Sequence, residues 1–232
     1  MRAMPHALRP LPAAALLVVA SIAGIAAAEE PAHPRAAVVI HAADGVDPFV
    51  EAYLFEVAAT VLRSGGYRVA PPNATSDQLR HAGQRARSCA DDDACVRAVA
   101  AALSSPTLVF VDVSAAEERQ VAVVLSTVVV RSNGVQRSEP AEARGSETEM
   151  AERVQRAAAD LATQEPPCHV EIAPEGGLAL RIRVGDSPAV AASSPLFVSA
   201  GTHEIQISAA GRSAWTGTFT CQAGRRYRIR AR

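Results

Sequence analysis

The sequence predicts an α+β fold. It divides into a signal peptide over residues 1–28, an α/β domain with a mixed sheet and covering helices over residues 35–165, and a small all-β sandwich over residues 166–232. Three observations predict this order. An apolar N-terminal run ends in small residues, strand and helix patterns alternate in the middle of the chain, and short strands separated by turns fill the last part. The double proline at 166–167 cannot continue a helix and marks the last boundary.

The first 28 residues have the three parts of a secretory signal peptide. Arg2 and Arg9 form a basic start, residues 11–28 are apolar, and Ala26–Ala28 make an A-x-A cleavage site before Glu29. A retained membrane anchor is the alternative, although the run is alanine-rich and lacks a basic flank after it. No later stretch is long and apolar enough to span a bilayer. We therefore expect a periplasmic or cell-surface protein with no integral membrane span after cleavage.

Charge is divided unevenly between the two folded units. Residues 29–165 hold 13 arginines and 20 acidic residues, whereas residues 166–232 hold 8 arginines and 4 acidic residues. This contrast supports a domain boundary between them. The chain contains no lysine. We attribute this to a GC-rich genome, which favours alanine and arginine together, and not to nucleic-acid binding.

Four cysteines in an exported chain are expected to be oxidised. Three pairings are possible. The pairing that keeps each bridge within one domain joins Cys89 to Cys95 and Cys168 to Cys221. A reactive thiol pair is the alternative, and it is disfavoured because no C-x-x-C spacing is present.

The first unit begins with a β-α-β pattern. Ala36–Ala42 is a short apolar run typical of a buried strand. Asp47 and Pro48 then begin a helix that two glycines end, and Tyr67–Ala70 resumes as a strand. The polar stretch over residues 75–87 predicts a short helix with a loop.

The rest of the first unit is predicted to run α-β-β-β-α. Asp93 is the expected N-cap of a helix over Ala94–Leu103. After two apolar strands, Asn133-Gly134 predicts a type I′ hairpin, followed by an outer polar strand from Val135 to about Ala143. Ser146 and Glu149 form a capping box that begins the last helix.

This order of elements, with C-x5-C before the third helix, resembles the N-terminal domain of TolB-like periplasmic proteins and, more loosely, the CsgG-like group. The resemblance implies an α/β domain that makes protein contacts at the cell envelope and performs no catalysis. A TolB protein continues into β-propeller repeats, and this chain contains none.

The second unit resembles the PEGA family. A proline-led strand begins at Pro195, a G-x-H turn follows at Gly201-Thr-His203, and a glycine turn comes at Gly211. The resemblance implies a small extracytoplasmic β-sandwich that serves as an envelope interaction module, with His203 bonding across its turn. Arg212 stands where the family has an aromatic residue, and we expect Trp215 to fill that space.

No motif for catalysis, a cofactor or a metal ion is recognisable. Without lysine a P-loop is excluded, and neither G-x-S-x-G, G-x-G-x-x-G nor H-E-x-x-H occurs. Asp91, Asp92 and Asp93 are better explained as the acidic start of a helix than as Ca²⁺ ligands, because adjacent side chains point in different directions. We therefore expect no enzyme, no cofactor and no metal site.

Four arginines alternate at the end of the chain, at Arg226, Arg228, Arg230 and Arg232. In a strand they share one face. The plainer interpretation is a solvated face that discourages edge aggregation. The functional interpretation is a basic strip for an anionic envelope polymer or for the acidic first unit.

These observations predict a bacterial, non-enzymatic periplasmic or cell-envelope protein that acts as a protein-interaction module. The expected partner is an envelope protein or an anionic envelope polymer, and not nucleic acid. The alternative is an extracytoplasmic protein that binds a small ligand or a glycan in a concave pocket. With aromatic residues at 4%, few rings are present to stack on sugars.

Overall fold

The structure is a computed structural model that describes residues 27–28, 33–81, 89–116, 120–174, 179–211 and 213–231. Its fold is α+β, as the sequence predicts. In chain order the elements are β1 (Ala27–Ala28), β2 (Arg35–Ala42), α1 (Pro48–Ser64), β3 (Arg68–Val69), α2 (Pro72–His81), α3 (Asp93–Leu103), β4 (Thr107–Ala115), β5 (Val121–Arg131), β6 (Gly134–Arg137), β7 (Ala141–Gly145), α4 (Glu147–Ala162), β8 (Cys168–Pro174), β9 (Leu180–Val184), β10 (Val190–Ala191), β11 (Leu196–Val198), β12 (Gly201–Ala209), β13 (Trp215–Cys221) and β14 (Arg226–Ala231).

A mixed sheet with helices on both faces forms the first unit. Its strand order is β3-β2-β4-β5-β6, with β7 also paired to β5, and β2 is parallel to both β3 and β4. Alternate residues of β4 point to opposite faces. Val109 and Val111 pack with α1 and α4 on one face, while Leu108 and Phe110 pack with α2 and α3 on the other. The C-terminal end of α3 therefore lies on the face of the first sheet opposite α1.

The helix starts follow the sequence closely, with one correction. Ser146 and Glu149 form the predicted capping box of α4. The N-cap of α3 is Asp92 and not Asp93, because the Asp92 carboxylate accepts from the backbone N–H groups of Ala94 and Cys95. Asp93 instead forms an ion pair with Arg137 of β6. The helix predicted within residues 75–87 is α2, which begins earlier, and residues 82–87 of that prediction lie outside the described residues.

The predicted type I′ hairpin at Asn133-Gly134 is wrong by one residue. Arg131 pairs with Gly134, so the turn consists of Ser132 and Asn133, and neither has the positive φ that a type I′ turn requires. The Ser132 N–H donates to the carbonyl of Phe197, a contact from a distant part of the chain. This contact ties the turn to β11.

The predicted outer strand from Val135 to about Ala143 is two strands. The Ser138 N–H donates to Thr127, but Pro140 has no N–H to continue the ladder. The chain therefore leaves β5 after β6 and pairs with it again as β7, at Val121–Leu125.

Two four-stranded sheets form the second unit, with orders β1-β14-β8-β11 and β10-β9-β12-β13. Their facing residues, including Val170, Ile182 and Ile205, make one buried core. A β-sandwich was predicted here. The His203 Nε2 atom lies 2.8 Å from the Ser199 carbonyl oxygen, across the predicted turn. The turn predicted at Gly176-Gly177 lies outside the described residues.

Both disulfides have the predicted partners. Cys89 and Cys95 lie on either side of the start of α3, with Cα atoms 5.7 Å apart. Cys168 of β8 and Cys221 of β13 join the two sheets of the sandwich, with Cα atoms 6.2 Å apart.

The two units contact each other through Phe197. This side chain belongs to β11 of the sandwich but packs into the core between the first sheet and α3. Nearby, the Arg131 guanidinium donates to the Glu165 carbonyl, and the Tyr67 hydroxyl donates to the Gln164 carbonyl. These contacts hold the linker before Pro166 against the first sheet.

The N-terminal end of the described chain lies on the sandwich. Ala27 pairs with Arg228 and Ala28 with Tyr227, so the last residues of the predicted signal peptide form an edge strand beside β14. Residues 1–26 of that prediction lie outside the described residues. In the part of the chain that is described, no helix has the length and apolar character needed to cross a membrane.

The two disulfides should differ in how much they stabilise the fold. Their sequence separations are 53 residues for Cys168–Cys221 and 6 for Cys89–Cys95. On the chain-entropy model, removing the first should lower the free energy of unfolding by about 4 kcal/mol and removing the second by about 2 kcal/mol. Urea unfolding of C168A/C221A and of C89A/C95A measures both. Equal losses, or a larger loss for C89A/C95A, would contradict this ranking.

Phe197→Ala should open the first sheet although Phe197 lies in the sandwich. Its side chain is buried in the core of the other unit, and the loss of a buried phenylalanine costs about 3–5 kcal/mol. We expect faster amide hydrogen exchange at Val128–Val130 of β5. The matched control is Phe219→Ala, which removes a ring that packs on Tyr227 within the sandwich. An equal change in the amide hydrogen exchange of β5 in both variants would contradict the role of Phe197 as the contact between the two units.

Candidate interaction surface

The predicted arginine strip lies on β14. Tyr227 and Ile229 contribute to the sandwich core, so the alternate residues Arg226 and Arg228 point away from it. Arg228 is exposed and Arg226 is half-buried. Arg230 is also part of β14, whereas Arg232 lies outside the described residues.

A carboxylate from the neighbouring strand interrupts this strip. Glu171 of β8 forms an ion pair with Arg226, and Arg228 stands opposite Glu171 in the parallel ladder. Burial opposes ionisation of Glu171, but the hydrogen bond and charge of Arg226 outweigh it and lower the pKa of the carboxyl. Glu171 is therefore a fixed anion that partly neutralises Arg226.

Two further arginines come from the first unit. Arg35 and Arg68 are register partners at the start of β2 and β3. They lie beside the sandwich, since Pro34, the residue before Arg35, packs closely against Gly224. A Cβ atom added to Gly224 would stand 3.4 Å from the proline ring. Gly224 also has a φ of +69°, which favours glycine. Partial burial, and then the charges of Arg226 and Arg68, lower the pKa of Arg35.

We refer to Arg35, Arg68, Arg226 and Arg228 as the arginine cluster. Sequence reasoning found its β14 members but missed Arg35 and Arg68, because nothing in their spacing signals proximity to residues so much later in the chain. Glu171 is the acid of the described chain that pairs with a member of the cluster. The surface is therefore positively charged and is built from both units.

His169 adds no charge to this surface at neutral pH. Its ring lies against Phe197, with the two centroids 5.2 Å apart, and burial lowers the pKa of His169 to about 4. Glu171 acts in the opposite direction, but its Oε1 is 3.7 Å from the His169 Nε2, which is too far for a hydrogen bond. No partner for Nε2 is present among the described residues. His169 is thus a neutral, partly buried ring beside Glu171.

A cavity of about 420 Å³ adjoins the cluster and shares Arg228 and Glu171 with it. It lies between the end of α3 and the segment of the sandwich that precedes β11. The remaining polar lining residues are serines, and the apolar ones are small or aliphatic. We call it the serine cavity; its other lining residues are Ser104, Ser193, Ser194, Ala101, Ile172, Ala173, Ala192 and Pro195.

Ser104 has an unusual backbone conformation in the wall of this cavity. It caps α3 at its C-terminus in the left-handed region, with φ 49° and ψ 39°. Among the described residues it is the only non-glycine residue with a positive φ. Glycine or asparagine would be the usual choice at such a position, so a side chain is kept here at the cost of some strain.

The other candidate residues do not form a site in the described chain. Asp92 and Asp93 are engaged in capping and in the ion pair with Arg137, as described above. No group of three or more potential metal ligands occurs among the described residues. Phe49 and Tyr53 on α1 are exposed and stacked, with centroids 6.3 Å apart, but they lie on the face of the sheet opposite α3.

The described residues define an α+β protein with a positively charged surface at the junction of its two units. No family model and no curated protein matches the chain. The resemblances to the TolB-like and PEGA families are therefore not supported by a family match.

Among solved structures, the chain is similar to a PelC dodecamer from Paraburkholderia phytofirmans, with 18% identity, 60% of this chain and 94% of that chain covered, and a TM-score of 0.34. It is also similar to the LpoB C-terminal domain from Salmonella enterica, with 10% identity, 50% and 84% covered, and a TM-score of 0.32. These values describe a partial likeness of fold.

The partly buried His169 should make stability fall on acidification. An unfolded chain binds a proton at this histidine near pH 6.5, but the folded chain does so only near pH 4. Stability is therefore lost as the pH falls from 6.5 towards 4, by about 2 kcal/mol between pH 7 and pH 5. Glu171, whose pKa is lowered, loses its contribution only at lower pH. Urea unfolding of the wild type and His169→Gln at both pH values measures the difference. The same pH dependence in both proteins would contradict this assignment.

Proposed function

We propose that this chain is an exported, non-enzymatic interaction protein of the cell envelope, and that its arginine cluster binds an anionic partner. The observation that carries the proposal is the meeting of arginines from both units: Arg226, Arg228 and Arg35 lie near one carboxylate, Glu171, and Arg68 is the register partner of Arg35. Like charges held close together repel one another, and this disfavours the folded state. An anionic partner would relieve the repulsion and would be steered to the surface by it.

The disulfides and the N-terminal sequence support the place of action. Disulfides persist in oxidising compartments such as the bacterial periplasm and the cell surface. The basic, apolar and small-residue parts of residues 1–28 are those of a cleaved signal peptide. We place the protein in the periplasm or on the cell surface, and we place the division into an α/β domain and a sandwich domain at the linker before Pro166.

Loss of the cluster should reduce capture of the partner in the native host. R35Q/R228Q removes two positive charges from the surface, and R153Q/R156Q removes two exposed charges from α4 as a matched control. After crosslinking and affinity purification, we expect the cluster variant to recover at least about tenfold less of any envelope component held by the wild type. This follows because each lost charge-assisted hydrogen bond is worth about 1.5 kcal/mol or more.

Recovery that is equal for the cluster variant and the α4 control would contradict the proposed role of the arginines. N-terminal sequencing of the same purified chain tests export separately. We expect Glu29 as the first residue, and an intact Met1 on a chain in the cytosol would contradict export.

A further inference from the structure

We propose that the partner of this surface is a hydroxyl-rich polyanion, a glycan that carries carboxylate or phosphate groups. Its anionic groups would bind the arginine cluster and its hydroxyl groups would bind in the serine cavity. This inference rests on the proposed function and names the chemistry of the partner. It joins two observations, the exposed positive charge and the polar cavity, which meet at Arg228.

The chemistry of the cavity suits a sugar unit. At about 420 Å³ it falls within the range of pockets that bind small ligands. The hydroxyl groups of Ser104, Ser193 and Ser194 both donate and accept hydrogen bonds, the Glu171 carboxylate accepts them, and Arg228 donates them. A polyol presents donors and acceptors in alternation, so it can satisfy such a mixed set. The Arg228 guanidinium also fits a planar carboxylate or a phosphate in a bidentate manner.

The strained backbone at Ser104 is consistent with a binding role. A left-handed conformation is unfavourable for a non-glycine residue, and such residues concentrate at functional sites. In this position Ser104, at the C-terminal end of α3, lines the cavity.

An acidic protein fits this surface less well than a glycan does. Protein interfaces depend on buried aromatic or aliphatic anchors. Among the described residues, the large exposed hydrophobic side chains are Phe49 and Tyr53, on the opposite face of the first sheet. A neutral sugar also fits less well, because no aromatic ring lines the serine cavity. The charged and hydroxyl groups of this surface therefore favour a partner that carries both anionic and hydroxyl groups.

Binding of defined polymers to the purified, exported chain tests the inference. The probes are polygalacturonate for carboxylate, a glycerol-phosphate teichoic acid for phosphate, dextran as the neutral glycan, and polyglutamate as an acidic polypeptide. Titration calorimetry at low and high salt compares the wild type with R228Q, S193A/S194A and the α4 control R156Q. Ser193 and Ser194 are exposed, so their replacement should leave the fold intact, which circular dichroism verifies.

We expect the chain to bind one of the two anionic glycans, and which of them it binds identifies the charged group. Dextran should not bind, and the affinity should fall at high salt. R228Q should weaken glycan binding about tenfold or more, S193A/S194A should weaken it about threefold or more, and R156Q should leave it unchanged. Polyglutamate binding, where present, should respond to R228Q but not to S193A/S194A.

Three results would overturn the inference. One is binding of neither anionic glycan, and another is glycan binding that S193A/S194A leaves unchanged. The third is tighter binding of polyglutamate than of either glycan, with partner capture in the host still lost in R35Q/R228Q. That last result would make the partner an acidic protein and would leave the proposed function standing.

Discussion

The packing of Phe197 into the core of the first unit is the contact on which the candidate surface depends. Together with the contact between Pro34 and Gly224, it holds the sandwich against the first sheet and so sets the position of Arg226 and Arg228 relative to Arg35 and Arg68. The same residue lies just after Pro195, so it also places Ser193 and Ser194 beside the end of α3. This buried ring therefore contributes to the placement of both the charges and the cavity.

His169 connects this anchor to the charges above it. Its ring contacts Phe197 on one side and faces Glu171 on the other. A protonated histidine here would compete with Arg226 for the single carboxylate. Burial lowers its pKa to about 4 and keeps it neutral, so Glu171 stays paired with Arg226. Of Arg226 and Arg228, the exposed Arg228 is then the better placed to meet a ligand.

Local signals in the sequence were sufficient for most of the fold, whereas long-range contacts were not. The α4 capping box and the two disulfide pairs follow from residue types at short spacing or from simple economy within a unit. The predicted hairpin is present, but its turn is Ser132–Asn133 and not of type I′, and Ser132 donates to the carbonyl of Phe197, which lies far along the chain. Arg35 and Arg68 were missed. No spacing rule connects the start of β2 to the end of the chain, and only the fold brings them together.

The net charge of each unit is a poor guide to this surface. The first unit is acidic overall, yet it supplies Arg35 and Arg68, and the whole chain has a formal charge of −1. Screening limits the reach of exposed charges to about 8–10 Å at physiological salt. A partner approaching the cluster therefore responds to its arginines and to Glu171, and hardly to carboxylates on the far helices. An overall anionic protein can in this way bind an anionic polymer, provided that its arginines are gathered at one place, as the junction of the two units gathers them.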